Sequence, residues 1–156
     1  MQLFVIRHAI AADPSPERPD AARPLTAEGR EKFVQAVRGA RRLGWRFDRL
    51  YHSPLVRAVQ TAELIAERLD FLGVIEALPA LVPGVPPRVA ASELPSRGAA
   101  VAVVGHEPGI SMLCAYLAGR PSFPPLQKAQ VVLIEDGKAA WFIHPETLER
   151  RHLLVP

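Results

Sequence analysis

Two short, uninterrupted apolar runs constrain this chain more than any other feature: Leu3-Phe4-Val5-Ile6 and Ala99 to Val104. Neither alternates with polar residues, and both are too short for a buried helix, so each fits a strand covered on both faces. Strands of that kind need helices above and below the sheet, and helix-like stretches lie between them. Thr26 is placed as the N-cap of a helix running to about Leu43, with Phe33, Val37 and Ala40 on one face and Gly44 as its stop. Ser53-Pro54 reads as cap and first helical position of a second helix, whose stripe is Leu55, Ala58, Ala62, Ile65 and Leu69.

The remaining segments follow the same alternation. Arg49 to His52 and Val74-Ile75 are short strands, and Arg88 to Leu94 and Gly109 to Leu117 are helices. Gln130 to Ile134 and Ala139 to Ile143 form a hairpin turning at Asp136-Gly137. Residues 9 to 25 and 79 to 87 are proline-rich loops, and a loop as long as the first is more often functional than idle. With no repeat and no linker, the 156 residues are expected to form a single domain over 1–156. Its class is α/β: three layers, with a mostly parallel central sheet flanked by helices.

Composition excludes several classes of function. The formal charge of +3 is spread thinly along the chain, which argues against nucleic acid as a partner. One cysteine, Cys114, rules out an internal disulfide or a Cys-based zinc site, and it reads as a small buried hydrophobe. The five histidines are not spaced as ligands on one helix, so neither metal nor cofactor is expected. The apolar start is too short for a signal-peptide core, and no later run is long enough to span a membrane, so a cytoplasmic protein without a membrane partner is expected.

Ligands of open α/β sheets bind outside the carboxyl ends of the strands. Arg7-His8 follows the first strand, and His52-Ser53-Pro54 follows the second, with Arg57 one turn into the next helix. Gly105-His106-Glu107 follows the Ala99–Val104 strand. Three strand ends thus deliver a histidine, an arginine or both to one edge. By contrast, His144 and His152 read as ordinary residues of an edge strand and a tail. Arg30, Arg38, Arg41 and Arg42 share their helix with Glu28 and Glu31 and read as a solvated face.

Two arginines beside two histidines suit phosphoryl transfer. Guanidinium groups hold phosphoryl oxygens bidentately and stay charged at any pH, and a helix N-terminus adds further donors. One imidazole can attack phosphorus in line, and the second, if protonated, can stabilise the spreading charge. Such a site needs no magnesium.

At these residues the chain resembles a known family. Val5-Ile6-Arg7-His8-Ala9 is similar to the Arg-His-Gly signature of the histidine phosphatase (phosphoglycerate mutase-like) superfamily, with Ala9 in the glycine's place. His52 to Ala62 resembles its second motif, and Val104-Gly105-His106-Glu107-Pro108 its third. The short length, the Arg23-Pro24-Leu25-Thr26-Ala27-Glu28-Gly29 segment and the absence of a large cap domain are most similar to the SixA-type phosphohistidine phosphatases. The resemblance implies His8 as nucleophile, Arg7 and Arg57 as the phosphate clamp and His106 as the second imidazole. Ser53 and Arg23 are further candidates for substrate binding.

One departure is informative. Larger members of the superfamily carry a carboxylate general acid after the second motif, whereas Ala77 to Gly84 holds none, leaving Glu76 and Glu107 as the nearest acids. An alkoxide needs such an acid to leave. An imidazole does not, because its conjugate acid has a pKa of about 6.5. The resemblance and this gap together imply a metal-independent phosphatase acting on phosphohistidine of a protein, such as a His-containing phosphotransfer domain. A small-molecule phosphomonoesterase of the same superfamily and a non-catalytic phosphoprotein binder are the alternatives.

Overall fold

The computed structural model describes residues 1–42, 44–95, 99–143 and 149–152. Its strands are β1 (Gln2–Arg7), β2 (Arg49–His52), β3 (Val74–Ala77), β4 (Ala100–Gly105), β5 (Val131–Glu135), β6 (Lys138–Ile143) and β7 (Arg150–His152). They form one sheet in the order β3-β2-β4-β1-β5-β6-β7. The first four run parallel, and β5, β6 and β7 extend the sheet antiparallel beyond β1.

The two apolar runs became the central strands because both of their faces are covered. Phe4, Ile6, Ala102 and Val104 point into one core, packed by Phe33 and Val37 of α1 (Ala27–Arg42) and by Ala58, Ala62 and Ile65 of α2 (Val56–Arg68). Leu3, Val5, Val101 and Val103 point into the other, against Ala90 of α3 (Pro87–Glu93) and Ile110, Leu113 and Cys114 of α4 (Gly109–Leu117). Burying each large aliphatic side chain contributes about 1.5–3 kcal/mol. This is the expected three-layer, mostly parallel architecture. No helix among the described residues is long and apolar enough to cross a membrane.

Several local expectations hold. Thr26 caps α1 by accepting the Gly29 N–H at 2.9 Å. Gly29 itself is required by close approach, since a Cβ there would sit 2.2 Å from the Ile10 carbonyl oxygen. The β5–β6 hairpin turns at Asp136 and Gly137, whose φ angles of 47° and 76° are both left-handed. Cys114 is fully buried, and burial pushes its thiol well above the ordinary range.

Others are corrected. Ser53-Pro54 does not open α2, which starts at Val56 behind an extended Leu55 with no side-chain cap. The Ser53 hydroxyl accepts the Leu55 N–H at 3.3 Å and also meets His106, and the helix begins only at Val56. His152 belongs to β7, paired opposite Trp141, and not to a tail. The loop over residues 9 to 25 is pinned by an Ala11–Leu25 bridge and contains a 3-10 turn at Asp20–Ala22. Leu43 and His144 lie outside the described residues.

Candidate active site

Strands β2, β4 and β1 are neighbours and parallel, so their carboxyl ends stand side by side. Ser53, His106 and His8 therefore emerge at one edge of the sheet. The His8 and His106 ring centroids lie 5.1 Å apart at an angle of 52°. Both side chains are buried.

The hydrogen bonds of His8 define its tautomer. Its Nδ1 lies 2.7 Å from the Ala9 carbonyl oxygen, which only accepts, so Nδ1 carries the proton. The lone pair is then on Nε2. Ala9 is held in turn, because its N–H donates to Thr61 Oγ1 at 3.1 Å while Thr61 donates to the Arg57 carbonyl at 2.7 Å. Ala9 avoids the left-handed region, so the position works without the glycine of the family signature. His106 Nε2 lies 2.7 Å from Ser53 Oγ.

Burial is the main influence on both rings. It brings His8 down from 6.5 to about 4; the Ala9 bond opposes this, and the charges of Arg57 and Arg7 add to it. His106 falls to about 3, through burial first and then the positive charge of neighbouring groups. Both imidazoles are neutral near pH 7. The expectation of a protonated second imidazole therefore meets an opposing environment in which desolvation and arginine charge disfavour the cation.

Arg7 and Arg57 arrive by different routes. Arg7, at the end of β1, donates from Nη1 to the Leu126 carbonyl at 2.7 Å. Arg57 is buried on the first turn of α2, where Nη1 donates to the Asp20 carbonyl at 2.9 Å and Nη2 to Asp20 Oδ2 at 3.2 Å. Arg23 reaches the same group, with Nε 2.9 Å from Asp20 Oδ1 and Nη1 donating to the Ala12 carbonyl at 2.8 Å. Desolvation pushes the Asp20 carboxyl up, yet the bonds and charges of Arg23 and Arg57 outweigh it and hold it below its ordinary value.

Glu107 has both carboxylate oxygens engaged. Oε2 accepts from Ser111 Oγ at 2.6 Å and Oε1 from the Leu126 N–H at 3.0 Å. Arg7 and Glu107 thus grip the two polar groups of one residue, Leu126. The same segment continues to the site, with the Ala129 N–H on the His8 carbonyl at 3.2 Å and the Arg7 N–H on the Gln130 carbonyl at 3.0 Å.

The structure thus gathers His8, His106, Arg7, Arg57, Ser53 and, through Asp20, Arg23. Asp20 and Thr61 were not singled out from the sequence. Thr61 had a faint signal, four residues after Arg57 on the same helix. Asp20 had none, being 37 residues distant in an irregular loop. Among the described residues no three His, Cys, Asp or Glu side chains gather as a metal-ligating group.

Known proteins share this fold. The sequence profile described as histidine phosphatase superfamily (branch 1) matches residues 3–82. Phosphohistidine phosphatase SixA of Escherichia coli (strain K12) is 32% identical over 158 residues, covering 96% of this chain and 97% of that one. An uncharacterized protein of Picosynechococcus sp. (strain ATCC 27264 / PCC 7002 / PR-6) is 41% identical over 66 residues, 42% of this chain and 40% of its own length. Among solved structures, the protein histidine phosphatase SixA complexed with tungstate superposes with a TM-score of 0.85 and 26% identity, covering 96% of this chain and all of that one. A mycobacterial glucosyl-3-phosphoglycerate phosphatase shares the fold at a TM-score of 0.63 and 19% identity, covering 99% of this chain and 98% of that one.

Proposed function

The chain belongs to the histidine phosphatase superfamily, and on that premise we propose that it is a metal-independent phosphatase working through a phospho-His8 intermediate, with phosphohistidine on a protein as its substrate. The observation that carries this reading is the His8 Nδ1 bond to the Ala9 carbonyl, which leaves Nε2 as a neutral nucleophile beside two arginines.

In the first step Nε2 attacks phosphorus as the bond to the substrate imidazole breaks, and the leaving ring departs with the proton that it already carries. In the second, water attacks the phosphorus of phospho-His8, phosphate leaves and the Nε2 lone pair returns. Arg7 and Arg57 hold the phosphoryl oxygens through both steps. The anion offsets the arginine charge felt by His106, which favours proton uptake there as charge spreads onto the oxygens. Ser53 fixes the His106 ring. Arg23 supports Arg57 through Asp20.

The choice of phosphohistidine rests on the acid. Glu107 acts as a strut between α4 and Leu126, and the stretch from Ala77 to Gly84 offers no carboxylate. A leaving imidazole tolerates that lack, and a sugar alkoxide does not. The relation to phosphohistidine phosphatase SixA of Escherichia coli supports the same choice.

The test is turnover of a chemically phosphorylated His-containing phosphotransfer domain beside a sugar phosphate. The phosphoprotein is expected to be the better substrate, and His8→Ala is expected to abolish both phosphoenzyme labelling and phosphate release. Faster hydrolysis of the sugar phosphate would reverse the substrate assignment, and residual turnover in His8→Ala would remove the mechanism.

A further inference from the structure

The chain holds 19 lysines and arginines, yet only Lys32, Lys128 and Lys138 are lysine, and two of these three line one cleft. That cleft has a volume of about 390 Å3, and Arg7 of the phosphate clamp forms part of its wall. Ile10, Gly29 and Ala129 make part of its lining apolar, and Lys32 and Lys128 line it as well. Among the described residues no carboxylate lines it. Lys32 pairs with Glu28 at 2.9 Å across one helical turn, an exposed contact of the weak kind that an incoming carboxylate can replace.

Lys128 is fixed relative to the nucleophile although its side chain is exposed. On one side of it Leu126 is bonded to Arg7 and Glu107, and on the other the Ala129 N–H is bonded to the His8 carbonyl. Ala129 adopts φ 64°, a left-handed conformation that a side chain disfavours and that the surrounding bonds impose. The charge of Lys128 is felt at the His8 ring. A positively charged, partly apolar cleft that shares Arg7 therefore opens beside the pocket, on a frame tied to the pocket itself.

The chemistry of the two kinds of cation separates their tasks. Buried arginine forks suit a desolvated phosphoryl group, while exposed lysines on flexible stems suit carboxylates that stay partly hydrated. A second small phosphate could engage the lysines but would leave the apolar part of the lining unused. The acidic surface of a protein, presenting apolar side chains as well as carboxylates, matches the lining on both counts.

We propose that this cleft docks an acidic surface of the phosphoprotein, with Lys32 and Lys128 engaging carboxylates that flank the phosphohistidine while Arg7 and Arg57 hold its phosphoryl group. The proposal rests on the reading of protein phosphohistidine as substrate. It adds a rule of selection, namely that acidic residues beside the phosphorylated histidine raise capture.

The experiment uses two peptides, each phosphorylated on a single histidine, one flanked by Asp and Glu and the other by Ser and Gln. The wild-type protein is expected to favour the acidic peptide in kcat/KM by about tenfold at low ionic strength, through KM, with the preference collapsing in high salt. The preference is expected to shrink in Lys32→Gln and Lys128→Gln and to vanish in the double charge reversal Lys32→Glu/Lys128→Glu. Equal turnover of the two peptides by the wild-type protein, or a preference that survives in the double variant, overturns the docking surface and leaves the phosphohistidine reading standing. Hydrolysis of neither peptide by a protein that still turns over para-nitrophenyl phosphate overturns both.

Discussion

Asp20 stands between Arg57 and Arg23, with Oδ2 3.2 Å from Arg57 Nη2 and Oδ1 2.9 Å from Arg23 Nε. Its carboxylate orients Arg57 from a position in which it opposes any other anion. Because the Asp20 backbone carbonyl also accepts from Arg57, orientation survives when the charge is removed. Asp20→Asn is expected to tighten inhibition by phosphate or tungstate a few-fold, measured as the competitive inhibition constant. Weaker inhibition would mean that the carboxylate serves orientation alone.

Arg57 is expected to tolerate no conservative exchange. A lysine would lose the two-point bond to Asp20 and the fork presented to phosphate. Arg57→Lys should lower kcat/KM for a generic phosphoryl donor by roughly a hundredfold, comparable with removal of one oxyanion donor elsewhere. The same variant keeps a positive charge, so a loss this large would separate fork geometry from charge.

The buried histidines give the protein an acid limit. The folded-state value for His8 lies at about 4 and that for His106 at about 3, both below the ordinary 6.5. The unfolded chain therefore binds protons that the folded chain refuses. Stability is fully present above pH 6.5 and is lost as pH falls toward 4. The loss from His8 alone is on the order of 3 kcal/mol. Urea denaturation at stepped pH should show this decline, and it should be shallower in His8→Phe.

Thr61 holds the backbone just after His8. Thr61→Val keeps the shape but leaves the Ala9 N–H buried without an acceptor, which costs about 1–3 kcal/mol. Turnover should fall together with the denaturation midpoint, while Thr61→Ser should restore both. A valine variant with wild-type stability would show that the Ala9 N–H finds another partner.

Glu107→Gln distinguishes a strut from an acid. The amide can still accept from the Leu126 N–H and donate to the Ser111 hydroxyl, so the joint persists. The alkaline limb of the pH profile with phosphohistidine should not move. A displaced limb would assign Glu107 a proton-transfer role.

The strands, the two helices that cover each face and the hairpin were legible because each is written locally. Four to six apolar residues in a row, a stripe at helical spacing and an Asp-Gly turn each mark their element without distant information. The start of α2 was misread because Ser53 satisfies the local rule for a cap while its hydroxyl is bonded to His106, 53 residues away. β7 was missed because a three-residue strand acquires its identity only from pairing with β6.

The order of residues alone sets out the chemistry on offer: an imidazole and a guanidinium at the end of β1, another guanidinium on α2 and a second imidazole at the end of β4. The tertiary structure decided how they meet. Strand order put β4 between β1 and β2, so that His106 falls beside both His8 and Ser53. Long-range hydrogen bonds then chose the His8 tautomer's support in Thr61, the arginine bridge in Asp20 and the strut in Glu107. Those contacts are set by burial and by the direction of a donor or acceptor, and neither property belongs to any residue until the chain has folded around it.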